Sequence, residues 1–316
     1  MTTAYQTQQH VESVGYERLA RVTGRHNWWR PIVGTVVLLV LFLFASVLVL
    51  GQSALVGLLL KVPFGDDELP MFDDLTSFGI DLLAIAIAMP ALALTLWWVQ
   101  RRTWGSITSV TGRLRLPWLA RCLAVAGVLI TLMLTTAMVT GGGPSAVVDS
   151  NADPDSPFVG IGPFLLSLVV LMLLVPLQAA AEEFIFRGWL LQAVGSFVRW
   201  PVLVVIPQAF LFAAAHGWGT PWGFAALTVF GLALGWLTIR TGGIEAAIAL
   251  HVANNLIAML VSAAYKGGLA SEETAADLPW EFALLDMGMV VVFVLVILRL
   301  AKRYNPARLT PAGARI

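Results

Sequence analysis

The chain has 316 residues, 58% of them hydrophobic and 12% charged, with a mean hydropathy of +0.83. A soluble globular domain carries about 25% charged residues, so this composition excludes one and indicates a polytopic membrane protein. The formal net charge of +0 leaves no basic footprint for nucleic acid, and the single cysteine, Cys122, excludes an intrachain disulfide and a cysteine metal cluster.

Residues 1–27 are polar, contain His10 and His26, and lack the short apolar core and cleavage site of a signal peptide. Crossing the bilayer takes roughly 20 apolar residues. Eight segments qualify: about 31–53, 78–100, 118–140, 163–182, 201–216, 221–240, 244–265 and 282–300, the fifth being the shortest. Connections of opposite charge alternate between them. Arg18, Arg21, Arg25 and Arg30 precede the first segment. Arg101, Arg102, Arg113, Arg115 and Arg121 surround the second turn. Arg199 and Arg240 follow later segments, and Arg299, Lys302, Arg303, Arg308 and Arg315 end the chain. The other connections are acidic: Asp66, Asp67, Glu68, Asp73 and Asp74; Asp149, Asp153 and Asp155; Glu272, Glu273 and Asp277. Cationic loops stay cytoplasmic, so both termini are expected there, in a multi-pass protein of the cell membrane.

The chain shows no internal repeat. A Gly/Pro/Ser-rich connection, TGGGPSA at 140–146, divides it loosely. The expected organisation is a cytoplasmic segment 1–30, helices and an outer loop over 31–155, a catalytic core over 156–300 and a cytoplasmic tail over 301–316.

Nearly all buried polar groups fall in three short stretches: EEFIFR (182–187), FAAAH (212–216) and HVANN (251–255). Glu183 and Arg187 are four apart, share a helical face and can pair. Glu182 points about 100° away from Glu183. His251 and Asn255 also share a face, with Asn254 rotated off it, and Phe212 lies one turn before His216. Intramembrane charge costs about 2.5–3.5 kcal/mol on insertion scales and marks functional sites. A carboxylate beside an imidazole can take a proton from water. A histidine and an asparagine on one face can stabilise an oxyanion.

Each group also has a structural reading. Glu183–Arg187 can be an interfacial ion pair, a buried histidine can tie helices together, and Asn255 can be interhelical glue. Asp81 and Asp286 read as interfacial, and Glu245 as a carboxylate at a helix N-terminus. The joint occurrence of the rest favours a site. One tension concerns depth. A straight segment from residue 201 puts His216 about 22 Å from its start, whereas His251 lies about 10 Å in from 244. Kinks at Pro176 and Pro207, a tilted fifth helix or a fourth helix that ends deeper would each relieve it.

In order and spacing, the three stretches resemble the EExxxR, FxxxH and HxxxN motifs of the CPBP family (CAAX proteases and bacteriocin-processing enzymes, formerly Abi). The resemblance covers about 160–265. It implies an all-α bundle of about eight transmembrane helices with a cytosol-facing cavity, and an intramembrane endopeptidase acting on a peptide or membrane-protein substrate. By motif position, Glu182 is the general base, His216 binds or polarises the water, His251 and Asn255 form the oxyanion hole, and Glu183, Arg187 and Phe212 support them. The family is described both as glutamate and as metalloproteases. Glu182, His216 and His251 would be the zinc ligands if zinc were used, but Asn255 suits an oxyanion better than zinc and no HExxH is present, so metal-free catalysis is favoured. No GxSG marks a rhomboid, and PFGDD (63–67) lies outside the segments. Two other readings compete: a transporter or proton relay, which would string its acids across the membrane, and a non-catalytic peptide-binding scaffold. Nothing in the sequence sets the oligomeric state.

Overall fold

The computed structural model describes residues 13–65, 68–137, 139, 157–270 and 274–310. The TGGGPSA connection, His10, Asp66, Asp67, Asp149, Asp153, Asp155, Glu272, Glu273 and Arg315 lie outside them. Seven helices are long and apolar enough to cross a membrane: α1 (Trp29–Leu60), α2 (Asp74–Gln100), α3 (Leu116–Ala137), α4 (Ile161–Gly195), α6 (Pro221–Thr241), α7 (Glu245–Ala263) and α8 (Trp280–Tyr304). A shorter apolar helix, α5 (Pro201–Ala215), lies between α4 and α6. The described residues form isolated β-bridges but no strand. The protein is an all-α, polytopic integral membrane protein. Its lipid-length helices expose rows of leucine, valine and phenylalanine, such as Val36, Val40, Phe44 and Val47 on α1.

The expected segments are all present, with two revisions. The fifth helix has 15 residues, about 22 Å, which is short of a full hydrocarbon span. The fourth does not stop at 182. It passes through a π-helical stretch, Phe184–Leu190, and continues to Gly195. A π-helical stretch adds a residue to the turn and shifts the phase of the side chains that follow, and such stretches recur at functional sites. Glu182 therefore lies 13 residues, about 20 Å, from the end of α4. The later helix end, one of the three ways of relieving the depth conflict, is the one found.

Both described ends of the chain meet at one end of the bundle. Val14 and Thr310 exchange backbone and hydroxyl hydrogen bonds, and Tyr16 and Leu19 are fully buried beside Ile107 and Val110. At this end Arg115 forms a bidentate pair with Glu245 at the start of α7, both contacts 2.7 Å, and also donates from its backbone N–H to that carboxylate. Glu245 is thus structural, as expected.

Small residues bring α5 against α6. A Cβ on Gly231 would meet the Ala209 Cα at 2.7 Å, and Gly235 lies under Gln208. Buried Gln208 donates to the Val205 and Gly231 carbonyls at 2.8 and 2.9 Å. Close approach at small-xxx-small positions is how helices pack where lipid removes the hydrophobic drive. This contact fixes α5, and with it His216. Gly231→Leu should overpack the seam, destabilise the protein by about 1–3 kcal/mol and lower any cleavage activity. A melting temperature equal to wild type in the same detergent would show that α5 is free to move off α6.

Candidate active site

Two helices, α4 and α7, and the end of a third, α5, bring the polar stretches together in mid-bundle. Glu182 is 8% exposed, His251 2%, and Glu183 and Arg187 are fully buried. The Glu182 Oε2 atom lies 3.9 Å from His216 Nε2 and 3.8 Å from His251 Nε2. Its other oxygen accepts from Gln178 Nε2. Asn255 Nδ2 donates to Gln178 Oε1 at 3.2 Å, so Gln178 links the glutamate to the asparagine. Asn254 donates weakly to Asn255 at 3.5 Å. Glu182, His216 and His251 thus converge, and Asn255 joins them through Gln178.

The supporting residues have more specific contacts than spacing suggested. Glu183 Oε1 accepts from Arg187 Nη1 at 2.7 Å and also contacts His251 Nδ1 at 2.7 Å. Glu183 therefore holds a site histidine 68 positions away, in addition to its helical neighbour. The Arg187 guanidinium lies 4.2 Å from the Phe212 ring centroid. Phe212 packs on both imidazoles, with centroids 4.6 Å from His216 and 5.7 Å from His251. It packs on the guanidinium and on both imidazoles, while Glu183 reaches His251 directly.

Partner chemistry sets the tautomers. His216 Nδ1 faces the Phe212 carbonyl at 2.9 Å, and His251 Nδ1 faces the Glu183 carboxylate. Both partners only accept, so both Nδ1 atoms carry hydrogen and both Nε2 atoms are turned toward Glu182. A neutral Nε2 there accepts a hydrogen bond; a protonated one donates.

Among the described residues no group of three His, Cys, Asp or Glu side chains is arranged to hold a metal ion. Tetrahedral donors on ~2.0 Å bonds sit about 3.3 Å apart, closer than the Glu182–histidine separations of 3.8 and 3.9 Å. The donor set does not fit zinc in this arrangement.

A cavity of about 410 Å³ adjoins the site, and Phe212, His216, His251, Asn254 and Asn255 contribute to its wall. It extends from His251 along α7 to Ser262 and reaches Thr274 in the α7–α8 connection. Asp286, expected at an interface, lies in this wall, and Gln178 is a site residue outside the three motif stretches. Gln178 was detectable as a polar residue one turn before Glu182 in an apolar run. Asp286 carried no sequence signal beyond its charge. The cavity and the paired chain segments around Val14 and Thr310 lie at opposite ends of the bundle.

Residues 163–257 match the family model described as "Type II CAAX prenyl endopeptidase Rce1-like". The chain is similar to the uncharacterized protein YyaK of Bacillus subtilis (strain 168), 24% identical over 245 residues, which cover 74% of this chain and 78% of that protein. No solved structure matches. The matched residues contain all three motif stretches together with Gln178, so it is this part of the chain that is similar to the Rce1-like CAAX-type endopeptidases.

Proposed function

We propose that the chain is an intramembrane endopeptidase that hydrolyses a peptide bond with water activated by Glu182, residues 156–300 forming the catalytic core. The observation that carries this reading is the convergence of the Glu182 carboxylate with two imidazole Nε2 atoms at 3.8 and 3.9 Å. These gaps are too long for direct hydrogen bonds, and a water lying to one side of each pair would be within hydrogen-bond reach of both atoms.

In this mechanism the water donates to Glu182 Oε2 and to neutral His216 Nε2, which leaves a lone pair for the scissile carbonyl. Glu182 takes the proton as the water oxygen bonds to the carbonyl carbon. His251, protonated and held by Glu183, donates from Nε2 to the oxyanion. Asn255 has a second amide hydrogen, besides the one it gives Gln178, for the same oxygen. Glu182 then returns its proton to the leaving amine, which breaks the C–N bond. Glu183, Arg187 and Phe212 act by positioning His251 and keeping the site dry.

The test compares membranes carrying wild type with membranes carrying Glu182→Gln, scoring new peptide termini by mass spectrometry, with and without a chelator. Termini unique to wild type support proteolysis and report the cleavage sequence. No difference between well-expressed, folded proteins rejects it. Asn255→Ala should lower the same signal by about 10²–10³-fold, the usual loss for one oxyanion donor. A loss under threefold would remove Asn255 from that role.

A further inference from the structure

The cavity runs toward only one end of the bundle. On α7 its wall uses His251 and residues beyond it to Ser262, and none toward Glu245. On α3 it uses the last turns (Met133, Ala137), on α6 the first half (Ala226, Phe230) and on α8 the first two turns (Phe282, Asp286). All of these lie at the end that carries the α1–α2, α3–α4, α5–α6 and α7–α8 connections. The other end is closed by the Arg115–Glu245 pair, the 109–243 bridge and the joined terminal segments.

Charge separates the same two ends. Of the 19 lysines and arginines, only Lys61 and Lys266 fall in the four connections at the mouth end. Arg187 is buried at the site, and the others lie at or beyond the helix ends near the termini. Ten acids fall in the mouth-end connections, among them Glu68, Asp73 and Asp277. Lys/Arg bias of this size keeps an end cytoplasmic.

We infer that the cavity opens on the non-cytoplasmic face, so the peptide reaches Glu182 from the side opposite the chain termini. The inference rests on the endopeptidase reading for the word substrate, but its geometry does not depend on it. The substrate class is then a chain that has crossed the membrane or spans it, presenting its scissile segment from the outer leaflet, rather than a cytosolic C-terminal tail.

The test is side-specific labelling of the full-length protein in intact cells with a membrane-impermeant maleimide. Native Cys122 is buried and supplies the background control. Ser262→Cys in the cavity wall and Ala270→Cys, exposed in the α7–α8 connection, should label in intact cells. Ala307→Cys, at the terminal end, should label only after permeabilisation. The reverse pattern overturns the inference. Labelling of Ala270→Cys without Ser262→Cys overturns entry through this cavity while keeping the orientation. A reporter fused after Ile316 gives an independent reading: fluorescence of a cytoplasm-only protein is expected, and activity of a periplasm-only phosphatase overturns the orientation. Maleimide added outside should also lower cleavage by Ser262→Cys at least tenfold and leave Ala307→Cys unchanged. Because labelling needs no proteolysis, failure of the orientation and failure of the protease reading are separable.

Discussion

Glu182→Gln is expected to lower cleavage by about 10²–10⁴-fold, the range for removing a general base, while the protein stays folded. The substitution preserves the side-chain oxygen that accepts from Gln178 and removes the charge and the basic oxygen facing His216 and His251. Two measurements decide it: the yield of wild-type-specific termini over time, and the melting temperature in detergent. Equal melting with lost cleavage assigns proton transfer to Glu182. Cleavage within a few fold of wild type would remove Glu182 from that role, and the two histidines would have to activate water without it.

The largest effect on stability is expected at the pair behind the site. Arg187 and Glu183 are both fully buried, at 2.7 Å. Removing one member of a buried pair strands the other charge and typically costs about 3–5 kcal/mol, the cost expected for Arg187→Met. Glu183 Oε2 already lacks a hydrogen-bond partner, and without Arg187 the carboxylate keeps only its contact with His251 Nδ1. The double variant Glu183→Gln/Arg187→Met removes both charges and leaves an amide oxygen to accept from His251. It should recover much of the lost stability, since neutral replacement of a buried pair is often tolerated. Thermal unfolding of the three proteins in one detergent checks this. A single variant as stable as wild type would mean that Glu183 is neutralised by another route, with His251⁺ as the candidate. The double variant should remain less active than wild type, because a neutral amide at position 183 holds a protonated His251 less well than a carboxylate does.

Within-helix relations were legible in the sequence. Eight apolar helices, the Glu183–Arg187 pair, the His251–Asn255 face and the placement of Phe212 beside His216 all follow from helical periods and bilayer thickness, which operate over a few residues. The arginine asymmetry was equally legible, because it is a property of connections and needs no packing. The end of α4 was not. Residues 183–195 contain Arg187, Gly188 and Gln192, which read as an exit from lipid. Packing instead buries Arg187 and Gln192 and lets the helix continue.

The sequence by itself determined the membrane class, the helix order and which polar residues recur in the apolar helices, because hydropathy and helical spacing are local. Only the tertiary structure decided that Glu183 holds His251, that Gln178 joins Glu182 to Asn255, that Asp286 lines the cavity and that the cavity lies at the end of the bundle away from Val14 and Thr310. Those relations depend on the register between helices far apart in sequence. That register is set by close contacts such as Gly231 on Ala209 and Gly235 under Gln208, where lipid offers no hydrophobic gradient and shape alone selects the packing.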